Sequence, residues 1–82
     1  MPDPLTNQEE KVLVELTRLA GGVGRQITAK QLRDADFAQF VFAVMQKDVA
    51  YPDAQQSRLL QTLRDKGYIT MRRGVYLVLA TP

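Results

Sequence analysis

Two consecutive stretches, AQQSRLLQTLRDKG (residues 54–67) and YITMRRGVYLVL (residues 68–79), decide the fold. In the first, Leu59, Leu60 and Leu63 make a narrow apolar stripe at helical spacing, and Gly67 stands where a left-handed residue closes a helix. In the second, Tyr68–Arg72 and Val75–Leu79 read as two strands. Arg73-Gly74 sits at their tip, with a glycine that can take the positive φ of a tight hairpin. Upstream, Pro52 disfavours helix at Tyr51, and Asp53 is a good N-cap, so the helix is expected over 54–66.

Working outward, Thr6-Asn7-Gln8-Glu9 spells a capping box that starts a first helix. Val12, Leu13, Leu16, Leu19 and Ala20 form its buried stripe; Glu9, Lys11, Glu15 and Arg18 take the wet side, and Gly21-Gly22 ends it. The glycine pattern of residues 21–25 follows a helix rather than a strand, so it lacks the context of a phosphate-cradling loop. Ile27 is expected in a very short strand, and Thr28 caps a short helix through Arg33. Asp36 with Gln39 suggests another capping box, restarting a helix there. Phe37, Phe40, Val41 and Val44 line one face of that helix, and Ala38, Phe42, Met45 and Val49 give it a second apolar face. Such a helix is either the centre of the core or packs on another chain or domain. The order is helix, short strand, helix or split helix, helix, hairpin. It is a mainly α (α+β) plan with a C-terminal β-hairpin, that of a winged helix-turn-helix, in one domain over 1–82. The same reading fits one domain of a longer protein. There is no internal repeat and no low-complexity segment.

Eighty-two residues, 45% of them hydrophobic, suffice for one small core. No apolar run approaches the roughly 20 residues that cross a bilayer, so no membrane partner is expected. Met1-Pro2-Asp3-Pro4 has neither the basic nor the apolar region of a signal peptide, and a cytoplasmic setting is expected. The chain contains no cysteine and no histidine, which excludes disulfides and thiolate metal sites and removes the commonest general base. Neither an enzyme nor a bound cofactor is expected. The net charge of +2 conceals a division. Residues 1–53 hold six basic and eight acidic side chains, whereas residues 54–82 hold Arg58, Arg64, Lys66, Arg72 and Arg73 against Asp65 alone. Positive charge so concentrated suits a polyanion.

With Leu63 facing the core, a turn of 100° per residue places Ala54, Ser57, Arg58, Gln61 and Asp65 on the opposite side of the helix, with Gln55, Thr62 and Arg64 on its flanks. Gln56 falls on the core side. A major groove admits one helix, and arginine, glutamine, serine and threonine all hydrogen-bond base edges there. Gln55, Ser57, Arg58, Gln61, Thr62 and Arg64 are therefore the candidate readers, with Arg72 and Arg73 on the hairpin for a phosphate or the minor groove. A plain solvated helix face carries the same residue types, and charged hairpin tips also keep edge strands soluble. The case for double-stranded DNA lies in their combination. Nuclease chemistry would need carboxylates and a lysine gathered round a metal. Asp3, Glu9 and Lys11 mimic that set only faintly, while Asp34, Asp36, Asp48 and Asp53 read as caps and boundary charges. Ser57 has no histidine to activate it.

Leu63-Arg64-Asp65-Lys66-Gly67-Tyr68-Ile69, followed by Arg73-Gly74-Val75-Tyr76, resembles the helix-to-wing segment of the winged-helix domains of Dam-replacing-type restriction endonucleases. The likeness covers roughly residues 37–79, including Tyr51-Pro52 before the helix. It implies that the third helix and the wing contact DNA, through Arg58, Gln61, Arg64, Arg72 and Arg73, in restriction-modification or transcription regulation. Met71-Arg72 stands where that family usually has a small residue and Leu77 where it often has arginine, so neither target sequence nor methyl recognition is carried over. The alternative expectation is a protein-interaction or dimerisation domain, using the aromatic helix around 37–49 to pair with a second copy or an associated domain. Single-stranded nucleic acid would need stacking platforms, for which only Tyr51, Tyr68 and Tyr76 stand as candidates.

Overall fold

The computed structural model describes residues 3–45 and 52–81, with the side chains of Met45 and of residues 52–55 outside that description. Helix α1 (Asn7–Ala20) starts at the expected capping box. Thr6 Oγ1 accepts from the Glu9 N–H at 3.2 Å, and the Glu9 carboxylate accepts from the Thr6 N–H at 2.9 Å. Val12, Leu13 and Leu16 are fully buried. At its end the Gly22 N–H donates to the Thr17 carbonyl and the Gly21 N–H to that of Arg18, so the last turn leaves few carbonyls unpaired.

Strand β1 (Gln26–Thr28) carries Ile27 into the core and leads directly into α2 (Ala29–Asp34). Thr28 caps this helix as expected, and Gln31 completes a full capping box. Only Ala35 and Asp36 separate α2 from α3 (Phe37–Met45). Here the expected box at Asp36 and Gln39 is not what forms. Asp36 holds a left-handed backbone (φ +55°), and the Gln39 N–H donates to its main-chain carbonyl at 3.1 Å. A capping side chain needs extended backbone at the cap, and a two-residue link reverses the chain too sharply for that. Phe37 and Val41 of α3 are buried, while Ala38, Phe40, Phe42 and Val44 are half-buried. Met45 as a side chain, and Val49 altogether, lie outside the described residues.

Helix α4 (Pro52–Asp65) starts two residues earlier than 54, so Asp53 lies within its first turn and is not its N-cap. Proline lacks the N–H that the first helical position leaves unpaired, and its fixed φ suits that place. At the other end the Gly67 N–H donates to Arg64 and the Tyr68 N–H to Leu63, both at 3.0 Å, with Gly67 at φ +93°. This pair of crossed bonds is the Schellman closure. Strands β2 (Ile69–Arg72) and β3 (Val75–Val78) follow, joined by Arg73-Gly74. Both turn residues have positive φ (+46° and +76°), as a type I′ hairpin requires.

The hairpin is part of a larger sheet. β3 pairs antiparallel with β2 on one side and with β1 on the other, giving the order β1-β3-β2. Tyr76 therefore stands opposite Met71 and Ile27, and Tyr68 precedes β2, so the two tyrosines are not cross-strand neighbours. The α1 stripe meets Leu32, Phe37, Val41, Leu59, Leu60, Leu63, Ile69 and Val78 in a single core. The result is an α+β fold of four helices against a small three-stranded antiparallel sheet, among the described residues.

Candidate nucleic-acid interface

Burial of Leu59, Leu60 and Leu63 fixes how α4 is turned about its axis. Ser57, Arg58, Gln61 and Asp65 are in consequence exposed, and Gln56 is half-buried on the core side, as their helical angles predict. Thr62 is half-buried and donates its hydroxyl to the Arg58 carbonyl at 3.0 Å, so its one proton is committed to the helix backbone. Arg64 is exposed but bonded to the neighbouring Asp65 carboxylate through Nη2 at 3.2 Å and Nε at 3.3 Å. The Gln55 side chain lies outside the described residues.

Only Lys66, Gly67 and Tyr68 separate α4 from β2, so the hairpin begins close to where α4 stops. Arg72 and Arg73 are both exposed at its turn. That turn is held in place: the Ala29 N–H, at the start of α2, donates to the Gly74 carbonyl at 2.7 Å. Lys30 follows Ala29 and is itself exposed, which puts a further cation beside the hairpin turn. Sequence reading missed Lys30, because nothing in residues 28–33 signals a bond to a turn more than forty positions away.

The basic C-terminal segment does not present all its charge outward. Lys66 Nζ turns back to the Glu9 carboxylate at 2.7 Å, and both side chains are largely covered. Burial of Glu9 works against its ionisation, but hydrogen bonds from Lys66 and Thr6 and the Lys66 charge outweigh it and hold its carboxyl below the ordinary value. Glu9, one of the carboxylates that a nuclease pattern would borrow, is thus committed to a cap and an ion pair. Arg58, Arg72 and Arg73 have no carboxylate of the described residues within ion-pair distance. Three cations unpaired in this way, one on a helix and two on the adjoining hairpin, suit a surface of spaced negative charges. No protein family, curated protein or solved structure matches the chain.

Proposed function

We propose that the chain is a winged helix-turn-helix domain that binds double-stranded DNA without chemistry of its own. In this reading α4 enters the major groove and the β2–β3 hairpin lies on adjacent backbone or in the minor groove. The observation that carries it is the exposed Ser57, Arg58 and Gln61 face of α4, a helix joined through three residues to a hairpin whose turn exposes Arg72 and Arg73. Arg58 and Gln61 have the donor patterns that read guanine and adenine edges. The turn arginines and Lys30 supply contacts that position without specifying. Supporting the fold assignment are the element order, with a helix running directly into a hairpin, and the sheet order β1-β3-β2. A setting in restriction-modification or transcription regulation, which the likeness of residues 63–76 implies, belongs to the same proposal.

Fluorescence anisotropy with random-sequence duplex over a series of salt concentrations tests it. The wild-type chain should bind with a log–log salt slope of about −0.9 per phosphate contact. Replacing Arg58, Arg72 and Arg73 with glutamate should abolish that binding while leaving the far-ultraviolet circular dichroism unchanged, since all three are exposed. Absence of wild-type binding at low salt, or equal binding by the variant, overturns the proposal.

A further inference from the structure

Tyr68 is buried at the junction of α4 with β2, and every polar group it carries is engaged. Its N–H donates to the Leu63 carbonyl at 3.0 Å, which closes α4. Its carbonyl accepts from the Leu79 N–H at 2.8 Å and the Ala80 N–H at 3.3 Å, just past the end of β3. Its hydroxyl donates to the carbonyl of Asp3, 65 positions away, at 2.7 Å. One residue thus joins the end of α4, the end of β3 and the chain ahead of α1. Lys66 repeats the pattern two positions earlier. Its carbonyl, which the end of α4 leaves without a helical partner, accepts from the Asp3 N–H at 3.0 Å, and its Nζ pairs with Glu9. Between these anchors Leu5 packs on the core.

We propose that residues 3–5, the junction 66–68 and residues 79–80 form one clasp, which opens only as a unit and fixes the end of α4 on the sheet. The ordinary behaviour of a chain end is to fray by itself, at almost no cost in free energy. Asp3 is bonded differently. Its N–H and its carbonyl reach residues on either side of Gly67, the one left-handed joint of the junction (φ +93°). Rotation about that joint would move Lys66 relative to Tyr68 and break at least one of the two bonds, so Asp3 spans the joint as a splint. The reverse coupling runs through burial. Release of Asp3 would leave the hydroxyl of a side chain in the core without its acceptor, which is costly. That hydroxyl regains water only when the ring moves outward, and such a move draws the Tyr68 carbonyl away from Leu79 and Ala80. The sheet has a separate hold on its other side, where the Gly24 N–H donates to the Val78 carbonyl at 2.8 Å and the Val78 N–H to that of Arg25 at 3.1 Å. Opening of the clasp therefore frees the end of α4 and the N-terminal segment while the strands stay paired. The clasp involves no ligand and stands independently of the DNA reading.

Amide hydrogen exchange of the full chain, followed by nuclear magnetic resonance without nucleic acid, is the test. In the wild type the Asp3, Leu79 and Ala80 amides should be protected to within about threefold of one another, as a single opening reaction requires. Tyr68→Phe keeps the ring in the core and removes only the hydroxyl. It should lower the protection of all three amides together, by about three- to tenfold, the range of one lost hydrogen bond. The Leu16 amide, within α1, should keep its wild-type rate, which separates opening of the clasp from unfolding of the whole molecule. A wild-type Asp3 amide that exchanges freely while Leu79 is protected overturns the proposal. So does a Tyr68→Phe variant that speeds Asp3 but not Leu79 and Ala80, one that speeds Leu16 equally, or one that changes nothing.

Discussion

Arg73 holds a left-handed backbone (φ +46°) at the first position of a two-residue turn, where asparagine or glycine is the ordinary choice. A side chain with a Cβ costs about 1 kcal/mol there. Arg73→Asn is therefore expected to raise stability by up to about 1 kcal/mol in urea unfolding. The same change should lower duplex affinity and flatten the salt slope by about one unit. A loss of stability would refute the strain, and an unchanged slope would remove Arg73 from the interface. At this scale the sequence is readable where one residue's chemistry suffices. Thr6, Thr28 and Gly74 announce their roles because a cap or a positive φ is a local demand. Asp36 misleads, since the two-residue link that sets its backbone depends on where α2 stops. The strain at Arg73 is equally illegible, because it follows from the register that pairs Arg72 with Val75.

Among the elements, the junction of α4 with the hairpin rests on Gly67, whose φ of +93° lets Gly67 and Tyr68 donate back to the last turn. Gly67→Ala should cost about 1–2 kcal/mol. Equilibrium denaturation measures this, and an unchanged midpoint would mean that the turn tolerates a Cβ. The end of α4 was legible because the Leu59, Leu60 and Leu63 stripe stops just ahead of a glycine. Its start was not, since Pro52 and Asp53 are both good residues for a helix beginning and only the observed bounds rank them. β1 shows another limit: three residues are too few for any periodicity, and their pairing partner, β3, arrives some fifty positions later. The exposed face of α4 followed from its stripe alone, so Ser57, Arg58 and Gln61 were placed correctly. Thr62 and Arg64 were harder, because their bonds to the Arg58 carbonyl and to Asp65 are matters of rotamer.

For the molecule as a whole, counting charges along the chain overstated the basic surface, because Lys66 folds back on Glu9, 57 positions away. The same corner ties down the N-terminal segment: the Asp3 N–H donates to the Lys66 carbonyl at 3.0 Å, and the Tyr68 hydroxyl to the Asp3 carbonyl at 2.7 Å. Glu9→Gln keeps a residue suited to the capping box but removes the ion pair, and should lower stability by about 1–3 kcal/mol at neutral pH. Because the folded Glu9 carboxyl lies below its ordinary value of 4.5, the wild-type advantage is present above that value. It fades as pH falls through the lower folded value, so denaturation curves of wild type and variant should converge in acid. A constant difference would show that the charge contributes nothing. The bond from Ala29 to the Gly74 carbonyl has a kinetic meaning. A turn anchored to a helix start has given up its backbone freedom during folding, before any ligand arrives. What remains to be ordered on encounter is the Arg72 and Arg73 side chains, at most about 2 kcal/mol of rotamer entropy each. If the proposed DNA reading holds, the hairpin would meet the duplex as a preformed prong, with capture governed by diffusion and long-range attraction rather than by a search through loop conformations.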